Sequence, residues 1–136
     1  MDSDGLLVYI KQLKDAEQTL QAKKVCSYGL ENFKDENFVR VLMPMLISLH
    51  RQTSAPQEAI DTANKFLKIY GKNIASAALY TSMAAAYCDL GNYACAKNYA
   101  DRAYAVQGGG QGYANELTLV YRRIRSESGG AFADID

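Results

Sequence analysis

Ala22, Ala59 and Ala96 stand at intervals of 37 residues, and the apolar pattern around them returns at the same interval. Leu6, Met43, Tyr80 and Leu117 share one phase of this period, Tyr9, Leu46, Met83 and Val120 a second, and Ile10, Ile47, Ala84 and Tyr121 a third. A period of this length is that of a supersecondary unit too small to bury its own apolar face, so neighbouring units must stack and share a core. Such an array is a scaffold. Its shared positions set the fold and its variable positions set what it holds, so the expected function is binding.

Apolar residues recur at helical spacing almost throughout, and no segment sustains the alternation of a β-strand. The pattern predicts an all-α chain with helices at about 4–15, 19–32, 36–51, 56–69, 74–89, 93–107 and 113–127, boundaries good to roughly two to four residues. Seven helices make three hairpins and one single helix. The punctuation agrees. Ser54, Pro56 and Gln57 read as a capping serine, a first-turn proline and a capping glutamine that open the fourth helix. Gly71 and Gly108 each follow a helical run, and Gly91-Asn92 closes one helix and caps the next. Gly108 to Gly112 reads as a break before the last helix, and 128–136 as a loose tail.

With 49% hydrophobic residues and only two prolines the chain is expected to fold as one globular domain spanning 1–127. Fifteen basic and fifteen acidic residues cancel, which argues against bulk attraction to nucleic acid or to an anionic membrane. The apolar run Leu6 to Ile10 ends at Lys11, which is not the pattern of a signal peptide, and no stretch approaches the roughly 18 to 20 apolar residues of a membrane span. Cys26, Cys88 and Cys95 form an odd set without a CxxC pair. Reduced thiols in a cytoplasmic protein are the expectation.

The third unit, Ala77 to Val106, resembles a tetratricopeptide repeat. Tyr80 stands at the family's first aromatic position, Met83 and Ala84 at its Leu-Gly pair, Tyr87 at its tyrosine, and Ala96 and Ala103 at its two helix B alanines. The second unit keeps Leu46, Ile47, Ala59 and Ala63 but has His50 for the tyrosine and Phe66 for the last alanine; the first keeps Ala22 and a small Gly29. The period of 37 exceeds the family's usual ~34, which leaves a Sel1-like array as a competing label. The resemblance implies a right-handed α-solenoid of three hairpins, units at about 3–35, 36–72 and 73–108, with 113–127 as a capping helix.

It also implies a concave groove lined by the first helix of each unit. Carried onto this chain, the groove positions include Leu7, Lys11 and Lys14, then Val41, Pro44 and Arg51, then Ala78, Thr81 and Ala85, and on the cap Arg122 and Arg125. Lys11, Lys14, Arg51, Arg122 and Arg125 outnumber Asp15 and Asp89 along it, a local basic edge suited to an acidic partner, unless these are ordinary solvated side chains. The Hsp70/Hsp90 type of carboxylate clamp is absent, since its places hold Leu7, Lys11, Met45, Ala78 and Ser82. Pro44, inside the third helix, removes an amide donor to the Arg40 carbonyl and is expected to kink the helix; the freed carbonyl would lie near this groove to accept a bond from a ligand, unless the proline only bends the helix or the helix begins later.

Nothing points to catalysis. His50, the single histidine, occupies a core tyrosine position and is expected to be a packed, hydrogen-bonded imidazole. Cys88 and Cys95 flank one turn but lack further metal ligands. Tyr99 and Tyr104, at variable positions, are candidate surface anchors. The glycines at 108–112 lack the lysine of a phosphate loop. The expected protein is a non-enzymatic, cofactor-free adaptor or chaperone-like module holding a peptide or helix. The competing reading is a structural module that self-associates or assembles through the ends of its array, so a homo-oligomer is possible. Neither nucleic acid nor membrane is an expected partner.

Overall fold

The computed structural model describes residues 1–107 and 115–132, and among these every regular element is helical. In order they are α1 (Ser3–Asp15), α2 (Thr19–Asn32), α3 (Glu36–Gln52), α4 (Pro56–Tyr70), a 3-10 turn (Gly71–Ile74), α5 (Ala77–Asp89), α6 (Tyr93–Val106) and α7 (Asn115–Glu127). The expected fifth helix thus begins three residues late, after the 3-10 turn ends at Ile74 and Ser76 caps the helix.

Most helix starts have a local cause. Asp2, Asp35, Ser76 and Asn92 accept hydrogen bonds from the amides of Gly5, Phe38, Leu79 and Cys95, each satisfying one of the orphan donors that open a helix. The expected cap on α4 is different. Ala55, not Ser54, precedes that helix and makes no side-chain cap, while Ser54 sits at φ +58° in the turn. Gln57 donates forward to Asp61 Oδ1 at 3.0 Å rather than back. Pro56 alone presets the first turn. At the other ends, Gly71 and Gly91 take φ of +62° and +75°, a region costly for any residue with a Cβ.

The expected break at Gly108 to Gly112 lies outside the described residues. Of the expected loose tail, 133–136 also lie outside the described residues; within 128–132, Phe132 is half-buried against the core and its amide donates to Ser128 Oγ at 3.3 Å.

Sequential helices pair as α1–α2, α3–α4 and α5–α6, and successive pairs meet through α2–α3 and α4–α5. The first helices of the pairs also touch one another, α1 with α3 and α3 with α5, and α7 extends that row by packing on α5 and α6. Small residues permit this closeness. Ala22, Ala59 and Ala96 are each 0% exposed. A Cβ added at Gly29 would stand 2.9 Å from both Leu6 Cδ2 and Phe38 Cζ, so α2 lies against α1 and α3 without room for a methyl group.

α5 divides the interior. Leu79, Met83 and Ala86 face a core shared with α1 to α4, whereas Ala84, Ala85 and Cys88 face a second core with α6 and α7. Leu117, Val120, Tyr121 and Ile124 of α7 complete the second, as the period implies. Three tyrosines join the two: Tyr99 lies 5.4 Å from Tyr87 and 5.9 Å from Tyr80, centroid to centroid, and packs against both cores. Tyr99 is therefore a core residue rather than a surface anchor, covered on its outer side by the Arg102 guanidinium at 4.8 Å. Tyr104 is likewise half-buried against the second core.

Ala96→Leu is expected to overpack the α5–α6 contact and cost about 1–3 kcal/mol in a urea titration, whereas Ala94→Leu, exposed on the same helix, should change little.

Candidate functional site: a trough across α1, α3, α5 and α7

The row of first helices leaves a cleft of about 370 Å³ lined by Lys14 of α1, Pro44, Met45 and Ser48 of α3, Ala77, Ala78, Thr81 and Ser82 of α5, Gln107 just after α6, and Glu116 of α7. A second cleft of about 220 Å³ shares Ser48, Thr81, Ser82 and Glu116 with it and adds Arg51, Ala85, Leu119, Val120 and Arg123. The two form one trough. Its floor is made of small side chains, because α5 presents alanine, serine and threonine at successive turns. The Thr81 hydroxyl donates to the Ala77 carbonyl at 2.7 Å, but those of Ser48 and Ser82 have no partner among the described residues. Pro44, which has no N–H to donate to Arg40, lies on the trough side of α3.

Of the residues expected to share this surface, Lys14, Pro44, Arg51, Ala78, Thr81 and Ala85 line one cleft or the other. Leu7 instead packs against the first core, Lys11 is exposed outside both clefts, and Val41 is 51% exposed, also outside them. Arg122 and Arg125 line neither cleft; Arg123 does. The reason is packing. α7 is oriented by its Leu117, Val120, Tyr121 and Ile124 face on α5 and α6, with no further helix among the described residues against it. That orientation brings Glu116, Leu119 and Arg123 into the trough, one position off the repeat register.

Of the expected basic edge, Arg51 is engaged by a carboxylate. Arg51 Nε and Nη2 donate to Asp89 Oδ2 and Oδ1 at 2.6 and 3.2 Å, and Arg123 Nη1 donates to the same Oδ1 at 2.9 Å. Arg123 Nε also donates to Glu127 Oε2 at 2.9 Å, and the Tyr93 hydroxyl to Glu127 Oε1 at 3.3 Å. One carboxylate thereby ties α3, α5 and α7 together. Burial alone would raise the Asp89 carboxyl, but hydrogen bonds from Arg51 and Arg123, with their charges, outweigh it and hold Asp89 below its ordinary 3.8. Only Arg51 of this network belongs to the expected edge besides Asp89; Arg123 and Glu127 were not part of it, and a 37-residue echo carries no sign of which side chains will share a carboxylate.

His50, with 12% of its side chain exposed, is packed as expected but not hydrogen-bonded through Nδ1. That atom is buried 3.4 Å from Glu58 Oε2 without hydrogen-bond geometry. Burial and the nearby Lys23 charge lower its pKa from 6.5, against the opposing pull of Glu58, so the imidazole is neutral at pH 7. Burial pushes the thiols of Cys26 and Cys88 up to about 12 and about 11, which leaves them protonated and poor nucleophiles. Among the described residues no cluster of His, Cys, Asp and Glu has the makings of a metal site, and no helix is long and apolar enough to cross a membrane.

Two pH signatures follow from these shifts. Because Asp89 is depressed in the fold, its contribution is complete above about pH 3.8 and disappears as pH falls through the folded value. Asp89→Asn should therefore cost about 1–2 kcal/mol at pH 7, by urea titration, and the gap to the parent should close in acid. His50 is depressed as well, so its contribution is complete above about pH 6.5 and lost on acidification below it. His50→Phe should flatten the fall in melting temperature between about pH 7 and pH 5; an unchanged pH profile would remove His50 as its source.

Compared with protein-family models, curated proteins and solved structures, the chain finds no match, and its functional reading rests on its own residues and their geometry.

Proposed function

We propose that this protein is a non-catalytic protein-binding adaptor or chaperone-like module, built as a tetratricopeptide-like right-handed solenoid, that holds a peptide or helix in its trough. The observation that carries this reading is the alignment of α1, α3, α5 and α7 around one cleft floored by small side chains, with Ser48 and Ser82 hydroxyls left for a ligand. A floor of Ala78, Thr81 and Ser82 lets a partner backbone approach closely, which large side chains would prevent. A cytoplasmic location and independence of cofactors go with this reading, as does the absence of an Hsp70/Hsp90-type clamp. The ligand it favours differs from that of a strongly basic groove, because Asp89 already occupies Arg51 and Arg123.

A second reading draws on the other end of the molecule. Val8, Leu20 and Tyr28 are exposed large apolar side chains on the first hairpin, and Met1, Leu6, Tyr9, Val25 and Tyr28 line a cleft there. In this reading the ends of the array mediate self-association or assembly.

Ala78→Trp, which fills the trough from an exposed helix position, and Tyr28→Asp, which charges the first hairpin, separate the two. A partner captured by the immobilised protein and identified by mass spectrometry should be lost with Ala78→Trp and kept with Tyr28→Asp. The reverse result, together with a concentration-dependent dimer abolished by Tyr28→Asp, would transfer the function to the hairpin end.

A further inference from the structure

Two charges in the trough stand apart from the rest. Arg51, Arg123, Asp89 and Glu127 are all engaged with one another. Lys14 and Glu116, which line the same 370 Å³ cleft, have no ion pair or hydrogen bond with each other or with any described residue. They sit on opposite walls: Lys14 belongs to α1 and Glu116 to α7, with α3 and α5 between them. Between the two charges the described lining is uncharged, with small residues on α5 beside Pro44, Met45 and Gln107, and it carries the Ser48 and Ser82 hydroxyls, which have no partner among the described residues. A half-buried cation left unpaired facing an unpaired anion across a neutral floor is complementary to a ligand with the opposite order of charges.

We infer that the trough selects an extended peptide segment with an acidic side chain at its α1 wall, a basic side chain at its α7 wall and small uncharged residues between them. This rests on the adaptor reading above and adds to it a ligand class and a direction. Lys14 receives the acid and Glu116 the base, while Ser48 and Ser82 meet the peptide backbone, so reversing the charges of a bound peptide removes both pairings at once. Charge order also rejects wrong partners, since a reversed segment places like charges against each other. The occupant is a segment rather than a single amino acid because the cleft continues, through shared Ser48, Thr81 and Ser82, into the second cleft beside Leu119.

The test is selection of a displayed library of random linear peptides on the purified full-length chain, followed by affinity measurement on the enriched sequences. The expected result is enrichment of an acidic and a basic residue flanking small ones. Binding should weaken by at least about tenfold with Lys14→Glu and recover for a peptide whose acid is exchanged for lysine. Circular dichroism of Lys14→Glu, a solvent-accessible position, should match the parent. Enriched peptides that are blocked by Ala78→Trp yet indifferent to Lys14→Glu and Glu116→Lys would overturn the charge order while leaving the trough as the binding site. Peptides indifferent to Ala78→Trp, or no enrichment at all, would overturn both. Displacement by free amino acids as effective as by the peptide itself would overturn the extended occupant.

Discussion

The structure depends on how closely its helices approach, and that distance is fixed by residues with almost no side chain. Ala22, Ala59 and Ala96 are fully buried at the helix pairings, Ala100 and Ala103 continue the contact along α6, and Gly29 admits the ends of Leu6 and Phe38 where a methyl group would stand. Close backbones let neighbouring large side chains interdigitate, which is where dispersion and apolar burial accumulate. Once the pairs are drawn together, the first helices fall side by side and a trough between them is unavoidable. Small side chains also floor it, since α5 carries them on its trough side as well as on its α6 side.

That economy of side chains makes α5 unusual. A helix buried on two faces cannot be strongly amphipathic, and Ala77 to Asp89 alternates alanine with Leu79, Met83, Tyr80 and Tyr87 accordingly. The tyrosine rings around Tyr99 close the seam between the two cores. Aromatic side chains suit this place because each ring covers both neighbouring surfaces.

Much of the fold is legible in the sequence because repetition makes each unit a check on the others. The alanine period locates the buried face, and Gly91-Asn92, Pro56 and Gly71 mark ends whose backbone needs those residues. Ser54 misleads, because a hydroxyl one residue too early sits in the turn and Ala55 takes the cap position without a side chain to bond. The candidate site is legible only in part. Positions on α3 and α5 follow from repeat register, as Pro44, Ala78, Thr81 and Ala85 illustrate. On α7 the buried face keeps the period, but the groove positions carried over from the family do not, and Arg123 lines the trough where Arg122 and Arg125 were expected. Formal charge along a groove misleads too, since it does not reveal that Asp89 engages two guanidiniums.

The shared carboxylate has a consequence for how a disturbance travels through the molecule. In a row of helices that touch only their neighbours, stability is nearly a sum of local contributions and damage at one end is felt weakly two steps away. Asp89 breaks that locality: Arg51 of α3 and Arg123 of α7 both donate to its Oδ1, so the orientation of either guanidinium depends on whether the other is in place. Substitutions at Arg51 and Arg123 are therefore non-additive although α3 and α7 belong to different parts of the chain. The α3 and α7 walls of the trough are thereby coupled through a single carboxylate on the α5 between them.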